Sequence, residues 1–205
     1  LGAGWLEEEL VAAGLEYPQP KERITRYIEA LKISREILKK QRCHFDGEFY
    51  KISLERVLDS PLYDSPPLVG SAGGPRALKE VSSVVDRVEI NSTARATRGG
   101  KIDLEIMATI DEDEIKAQID LVKNVRPDIP VSMFLLVAVG EGKEVTKIKN
   151  SLRGGYLGNF MGRAEKVADN LASLELLGIE RIQLTEFFPG SHNLLSERLI
   201  GMNFN

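Results

Sequence analysis

Apolar residues recur along this chain at two spacings, one near 3.6 and one suited to strands, and the two alternate. Ile24, Tyr27, Ile28, Leu31 and Leu38 line one face of a helix predicted from about Lys21 to Gln41. Ile115, Ile119 and Val122 do the same for Asp111 to Asn124, whose acids lead the helix. A third helix, Arg163 to Leu177, turns Ala164, Val167, Ala168, Leu171 and Leu174 inward and stops at Gly178, a natural left-handed cap. Against these stands Val131 to Val139, almost continuously apolar, as expected for a strand covered on both faces. Shorter strands are predicted at Leu1–Trp5, Leu68–Gly70, Asp86–Asn91 and Ile179–Phe187, with helices at Glu7–Gly14 and, behind Pro75, at Ala77–Val84. Ile102 to Ile110 fits helix and strand equally. Asp46-Gly47 marks a hairpin turn within His44–Leu54, and Pro61, Pro66 and Pro67 end that excursion. Ser92–Lys101 and the glycine-rich Arg153–Gly162 read as mobile surface loops. Five strands therefore alternate with helices, the signature of an α/β protein with a parallel sheet, and no internal repeat interrupts it.

Length and composition narrow this picture. The 205 residues fall short of the ~250 of a complete (β/α)8 barrel. With 27 basic and 31 acidic side chains mixed along the sequence, a general nucleic-acid binder is not expected. The longest apolar run is too short for the ~20 residues of a membrane helix, so no membrane association is expected either. One cysteine, Cys43, and two histidines, His44 and His192, supply neither an internal disulfide nor a metal cluster, which suits a reducing cytoplasm. The chain opens at Leu1 without methionine or a signal-peptide pattern, and further residues are expected upstream.

The sharpest chemical signal is Gly70-Ser71-Ala72-Gly73-Gly74-Pro75-Arg76, set between a strand and a helix. Such a turn brings backbone N–H groups together at the positive end of a helix, and Ser71 and Arg76 add side-chain donors, so it reads as a phosphate cradle. It reads equally as a tight turn before a proline-started helix. Its spacing is neither that of the lysine-bearing triphosphate loop nor G-x-G-x-x-G. Gly2-Ala3-Gly4-Trp5 is a second strand end where small residues admit a flat ligand and an indole can stack on it, or simply pack. Weaker candidates are Glu7, Glu8 and Glu9, which read as solvated helix-start acids; Cys43 beside His44, which face opposite ways in a strand; Ser191-His192, without a nucleophile elbow; and Tyr50, Asn91 and Glu186 near strand ends.

Taken in order, G-A-G-W with E-E-E at 2–14, P-x-x-R-I-x-R-Y-I-E-A-L at 20–31, F-D-G-E-F-Y at 45–50 and P-P-L-V-G-S-A-G-G-P-R-A-L at 66–78 resemble the bacterial luciferase-like monooxygenase family, in its F420-dependent branch. The resemblance implies a (β/α)8 TIM barrel of the luciferase-like type, of which only about the last five β/α units are visible. It implies a single domain over 1–205, incomplete at its N-terminus, with 42–66 as a hairpin insertion. It also implies hydride transfer between coenzyme F420, or alternatively FMN, and a small organic substrate, in a protein that pairs as a homodimer. By position it gives the cofactor phosphate to Gly70, Ser71, Ala72, Gly73, Gly74 and Arg76, and the ring to Gly4 and Trp5. Some sugar dehydrogenases of the family carry a glutamate where Trp5 stands, so the match does not extend to a sugar substrate, and no acid–base residue is assigned. A non-catalytic flavin-binding or accessory subunit of the same fold, or a phosphate-binding barrel isomerase or lyase, fits the same glycine turn.

Overall fold

A computed structural model of the protein describes residues 1–55 and 65–200. Helix α1 (Glu7–Ala12) carries its three glutamates in the first turn and buries nothing. Helix α2 (Pro20–Lys40) follows, then a hairpin of β1 (Cys43–Asp46) and β2 (Lys51–Leu54), antiparallel with Asp46 opposite Lys51. Cys43 is buried and His44 exposed, as alternation demands. The hairpin turn is longer than Asp46-Gly47 suggests, because Glu29 of α2 reshapes it. Its carboxylate accepts the amides of Glu48, Phe49 and Tyr50 at 2.7, 3.0 and 3.0 Å. Burial alone would raise this carboxyl, but the three amides and nearby Lys32 outweigh it and hold the group below the ordinary carboxylate range. The rest of the 42–66 excursion, including Pro61, lies largely outside the described residues.

The remaining elements form one parallel sheet with helices behind it. They are β3 (Val69–Ala72), α3 (Pro75–Ser82), β4 (Arg87–Asn91), α4 (Leu104–Ala108), α5 (Glu112–Val125), β5 (Val131–Val139), α6 (Lys143–Ser151), β6 (Met161–Gly162), α7 (Ala164–Ser173), β7 (Arg181–Glu186) and α8 (Ser191–Leu199). The strand order is β3-β4-β5-β7, each pair parallel, with the short β6 beside the end of β5. Leu1–Trp5 is not a regular strand. Leu1 alone docks on β3, donating its amine to Val69 O at 3.0 Å and accepting Ser71 N–H at 2.9 Å, the bonding pattern of one parallel bridge. Tyr27 secures it by donating its hydroxyl to Leu1 O at 2.8 Å, and burial keeps that hydroxyl protonated far above its usual range. The starts of β3 and β4 are pinned by Asp86, which accepts Leu68 N–H at 2.8 Å and pairs with Arg35 at 3.0 Å.

Register divides the sheet into two faces. Met133, Leu135 and Val137 of β5 have no exposed surface and pack, with Val88 and Ile90, against the helices. Their alternates Phe134 and Leu136 face the other way and are only partly covered, so β5 is closed on its helix face and opens onto space on the other. The ladders align Asn91 with Phe134 and with Gln183, and Glu89 with Ser71, Ser132 and Arg181. The inward face therefore mixes polar residues with Phe134 and Leu136, where the outward face is apolar throughout β4 and β5.

Both loop expectations change. Ser92–Lys101 is a packed series of turns, with Ser92, Thr93, Ala96 and Thr97 buried, rather than a loose loop. Small and hydroxylated residues there satisfy their own turns: Thr97 Oγ1 donates to Thr93 O and Ser92 Oγ to Phe134 O. Arg153–Gly162 likewise folds into a 3-10 turn at Tyr156–Phe160 with Leu157 and Phe160 buried. Helices α6 and α8 carry only one buried residue and two, respectively, too few to leave a clear periodic stripe. The ambiguous 102–110 segment resolves as helix α4, capped by Asp103, whose side chain accepts the amides of Glu105 and Ile106. Gly178 caps the segment after α7 at φ +82° as expected.

Candidate functional site

At the C-terminal ends of β3, β4 and β5 the inward face opens into a cavity of about 660 Å³. That is within the range of small-molecule and cofactor sites. Four pieces of chain wall it: the Gly2–Trp5 turn, the Ser71–Ala77 turn, the start of α2 and the turns from Asn91 to Arg98, with Phe134 and Leu136 as an apolar floor. The two turns singled out in the sequence thus meet at one hollow although some 65 residues separate them. Gly4 adopts φ +70° with no atom near the place of a Cβ, and Trp5, 39% exposed, stands on the rim, its carbonyl held by the Tyr17 hydroxyl at 2.9 Å.

The glycines of the 70–76 turn serve different ends. Gly70 does not line the cavity: its Cβ would fall 2.7 Å from Val81 Cγ1 and 2.8 Å from Val85 Cγ1, so it lets α3 close onto β3. Gly73 lies against the neighbouring turn, where a Cβ would be 2.2 Å from Ala94 Cβ and 2.8 Å from Asn91 O. Gly74, the N-cap of α3, has open space before it, and behind it the first-turn amides of α3 have no partner within the helix. Ser71 lies on the inward face, and its hydroxyl bonds to no other group among the described residues. Ala72 closes the strand beside it. Arg76 lines the cavity, but Glu80 Oε1 at 2.7 Å, Lys21 O at 3.2 Å and Thr25 Oγ1 at 3.0 Å already engage its guanidinium, tying α3 to α2.

The sequence reading missed the charge on the opposite wall. Lys21, Arg23, Arg76, Arg95 and Arg98 line the cavity against one acid, Glu114, so its field favours anions. Glu114 is itself occupied by Arg95, which reaches its two carboxylate oxygens at 2.9 and 3.3 Å. Arg23 is buried over the Tyr17 ring. The basic content of 92–101 was visible; what was not visible is that buried threonines fold it back over the sheet. Of the weaker candidates, only Asn91 reaches the cavity. Glu186 faces the helices and holds the amide of His192 at 2.7 Å, and Ser191 is buried, accepting the amide of Val139. Tyr50 belongs to the hairpin turn, and no group of metal-binding residues occurs among the described residues.

No family model matches the chain. Relatives in sequence are F420-dependent glucose-6-phosphate dehydrogenases. That of Amycolatopsis mediterranei is 32% identical over 83 residues, 38% of this chain and 23% of the relative. That of Mycobacterium avium is 36% identical over 64 residues, 31% of this chain and 19% of the relative. The matched region thus spans less than a quarter of these relatives. In structure, an F420-dependent secondary alcohol dehydrogenase in complex with an F420-acetone adduct superposes with a TM-score of 0.66 at 16% identity, over 95% of this chain and 65% of that one. Coenzyme F420-dependent tetrahydromethanopterin reductase from Methanopyrus kandleri does so at 0.57 and 12% identity, over 95% and 70%. A long-chain alkane monooxygenase follows at 0.54 and 15% identity, over 90% and 57%. The chain shares the luciferase-like fold of these enzymes, and the resemblance read from its motifs is matched by F420-dependent relatives.

Proposed function

We propose that the chain holds the cofactor of an oxidoreductase that transfers a hydride between coenzyme F420, with FMN as the alternative, and a small organic substrate. The observation that carries this is the convergence of the Gly2–Trp5 and Ser71–Arg76 turns on one cation-rimmed cavity at the C-terminal ends of the strands. The residues fit the group. An unobstructed Gly74 and the first amides of α3 suit a phosphate, the apolar floor of Phe134 and Leu136 suits a flat ring, and the surplus of cations suits the charged tail. The bound deazaflavin or flavin would supply the hydride chemistry; Gly4 and Trp5 would orient its ring, and Ser71, Ala72, Gly73 and Gly74 with Arg76 would hold its tail. Gly70 contributes by seating α3.

The substrate is taken to be a small molecule entering beside Trp5. The relatives are named for glucose 6-phosphate, so that compound belongs in the panel of alcohols, aldehydes and carrier-bound substrates to be assayed. We further propose a cytoplasmic homodimer; no described helix is long and apolar enough to cross a membrane. Titration of the purified protein with F420 and with FMN, followed by ligand absorbance and fluorescence, tests the assignment. Saturable binding of either ligand is expected, and failure of both to bind the folded protein sinks the proposal.

A second reading, a non-catalytic cofactor-binding or accessory subunit, is favoured by one observation. The lone carboxylate at the cavity, Glu114, is neutralised by Arg95, which leaves no unpaired carboxylate on the described walls. Bound cofactor that never turns over across the substrate panel would select that reading.

A further inference from the structure

Register places Asn91 on the inward face of β4, one residue beyond the Ala72–Ile90 pair and therefore level with Gly73. Its side chain is oriented by its own turn. Asn91 Oδ1 accepts the backbone N–H of Thr93 at 3.0 Å and the Thr93 hydroxyl at 2.9 Å. A backbone N–H can only donate, so the atom facing it is the oxygen and the amide cannot be flipped. That leaves the Nδ2 group, with two N–H donors, on a residue that lines the cavity, and no acceptor within the described residues takes either of them. Strand order separates this donor from the Gly4–Trp5 end of the cavity, because β3 lies between Leu1 and β4. It stands instead against the glycine turn, since Asn91 O is one of the atoms a Cβ on Gly73 would strike. The acid on the same strand, Glu89, lies in the layer below, level with Ser71.

We propose that Asn91 is a cofactor-binding residue that donates from Nδ2 to the ligand phosphate held at Gly73 and Gly74, so that the phosphate is gripped from two adjacent strands. This rests on the cofactor assignment above and goes beyond it by naming a donor outside the glycine turn. A carboxamide suits the task because it donates without adding charge, while Thr93 keeps it from rotating. Replacing it by a carboxylate preserves both bonds to Thr93 and turns the donor into a repelling anion.

The test pairs ligands that differ in the phosphate: FMN against riboflavin, and F420 against its phosphate-free deazaflavin core. Asn91→Asp is expected to weaken the phosphorylated member of each pair by about 10- to 100-fold and to leave the other within about threefold. Thr93→Val, which removes one of the two bonds that orient the amide, is expected to show the same selectivity at about two- to fivefold. Thermal unfolding of both variants confirms that the fold is kept. Equal weakening of both members of a pair, or no weakening, overturns the assignment of Asn91 while leaving the cofactor reading intact. If the unsubstituted protein binds none of the four ligands, the cofactor reading itself falls and takes this inference with it.

Discussion

The two faces of the central sheet are built from the same strands and obey different rules. Outward, Ile90 of β4, which packs on α3 and α5, and Met133, Leu135 and Val137 of β5, which packs on α6 and α8, have no exposed surface and share one apolar core. Inward, the same strands present Ser71, Glu89, Asn91, Ser132, Phe134 and Gln183, and the upper layer opens into the cavity. Burial of aliphatic surface drives the first face. The second spends little on packing and keeps donors and space for a ligand. Stability and binding should therefore respond to different residues, even to sequence neighbours.

The largest effect should come from Leu135→Ala, which empties a fully buried outward position. A loss of about 2–5 kcal/mol is expected in urea unfolding, with cofactor affinity unchanged where the protein remains folded. Gly73→Val should come next and should strike both properties. Its Cβ falls 2.2 Å from Ala94 Cβ, so the 70–76 and 91–94 turns must separate. About 1–3 kcal/mol of stability and most of the affinity should be lost together. Gly74→Ala sharpens the contrast: the position has open space and an ordinary extended backbone, φ −88°, so stability should hold within about 0.5 kcal/mol. A Gly74→Ala variant as unstable as Gly73→Val would mean that the cavity wall, not the contact with Ala94, sets the cost.

That contrast also explains what could be read in advance. Strand β5 and helices α2, α5 and α7 were legible because burial imposes a period on their apolar residues. The glycine turn was legible because its composition has few other uses. The inward face was not, since Val131 to Val139 is apolar on both sides and hides its own alternation; only the ladder with β4 shows that Phe134 belongs with Asn91. Nor could composition show that Ser92–Lys101 is buried, because small polar residues form loose loops and hydrogen-bonded turns alike. Gly70 and Gly73 look identical in sequence and differ in what lies a few ångströms away. The position of Leu1 depends on a tyrosine hydroxyl 26 residues along the chain.

Tyr27→Phe isolates that last contact. It removes one hydrogen bond to Leu1 O and leaves the aromatic packing, so a cost of about 0.5–1.5 kcal/mol is expected. Hydrogen exchange should quicken at Ser71 N–H, which Leu1 O also accepts, and remain slow along β4 and β5. Equal quickening in all strands would show that Leu1 is a structural partner of the whole sheet rather than a clasp on its edge.

The smallest effect lies where the two faces begin. Burial raises the Asp86 carboxyl, but the Leu68 amide and the Arg35 guanidinium outweigh it and hold the group below its usual range. Because the folded-state value is depressed, the stabilising contribution is complete above the unfolded value of about 3.9 and disappears as pH falls through the folded one. Asp86→Asn should therefore lower stability modestly near neutral pH and flatten the acid limb, so that the two unfolding profiles converge once pH has fallen through the depressed folded-state value. Both faces start from the strands this residue pins, yet it touches neither the helix-facing core nor the cavity. Its loss should shift the urea midpoint without altering the ratio of FMN to riboflavin affinity; a change in that ratio would mean that strand register transmits to the phosphate end of the cavity, and that the two faces are coupled after all.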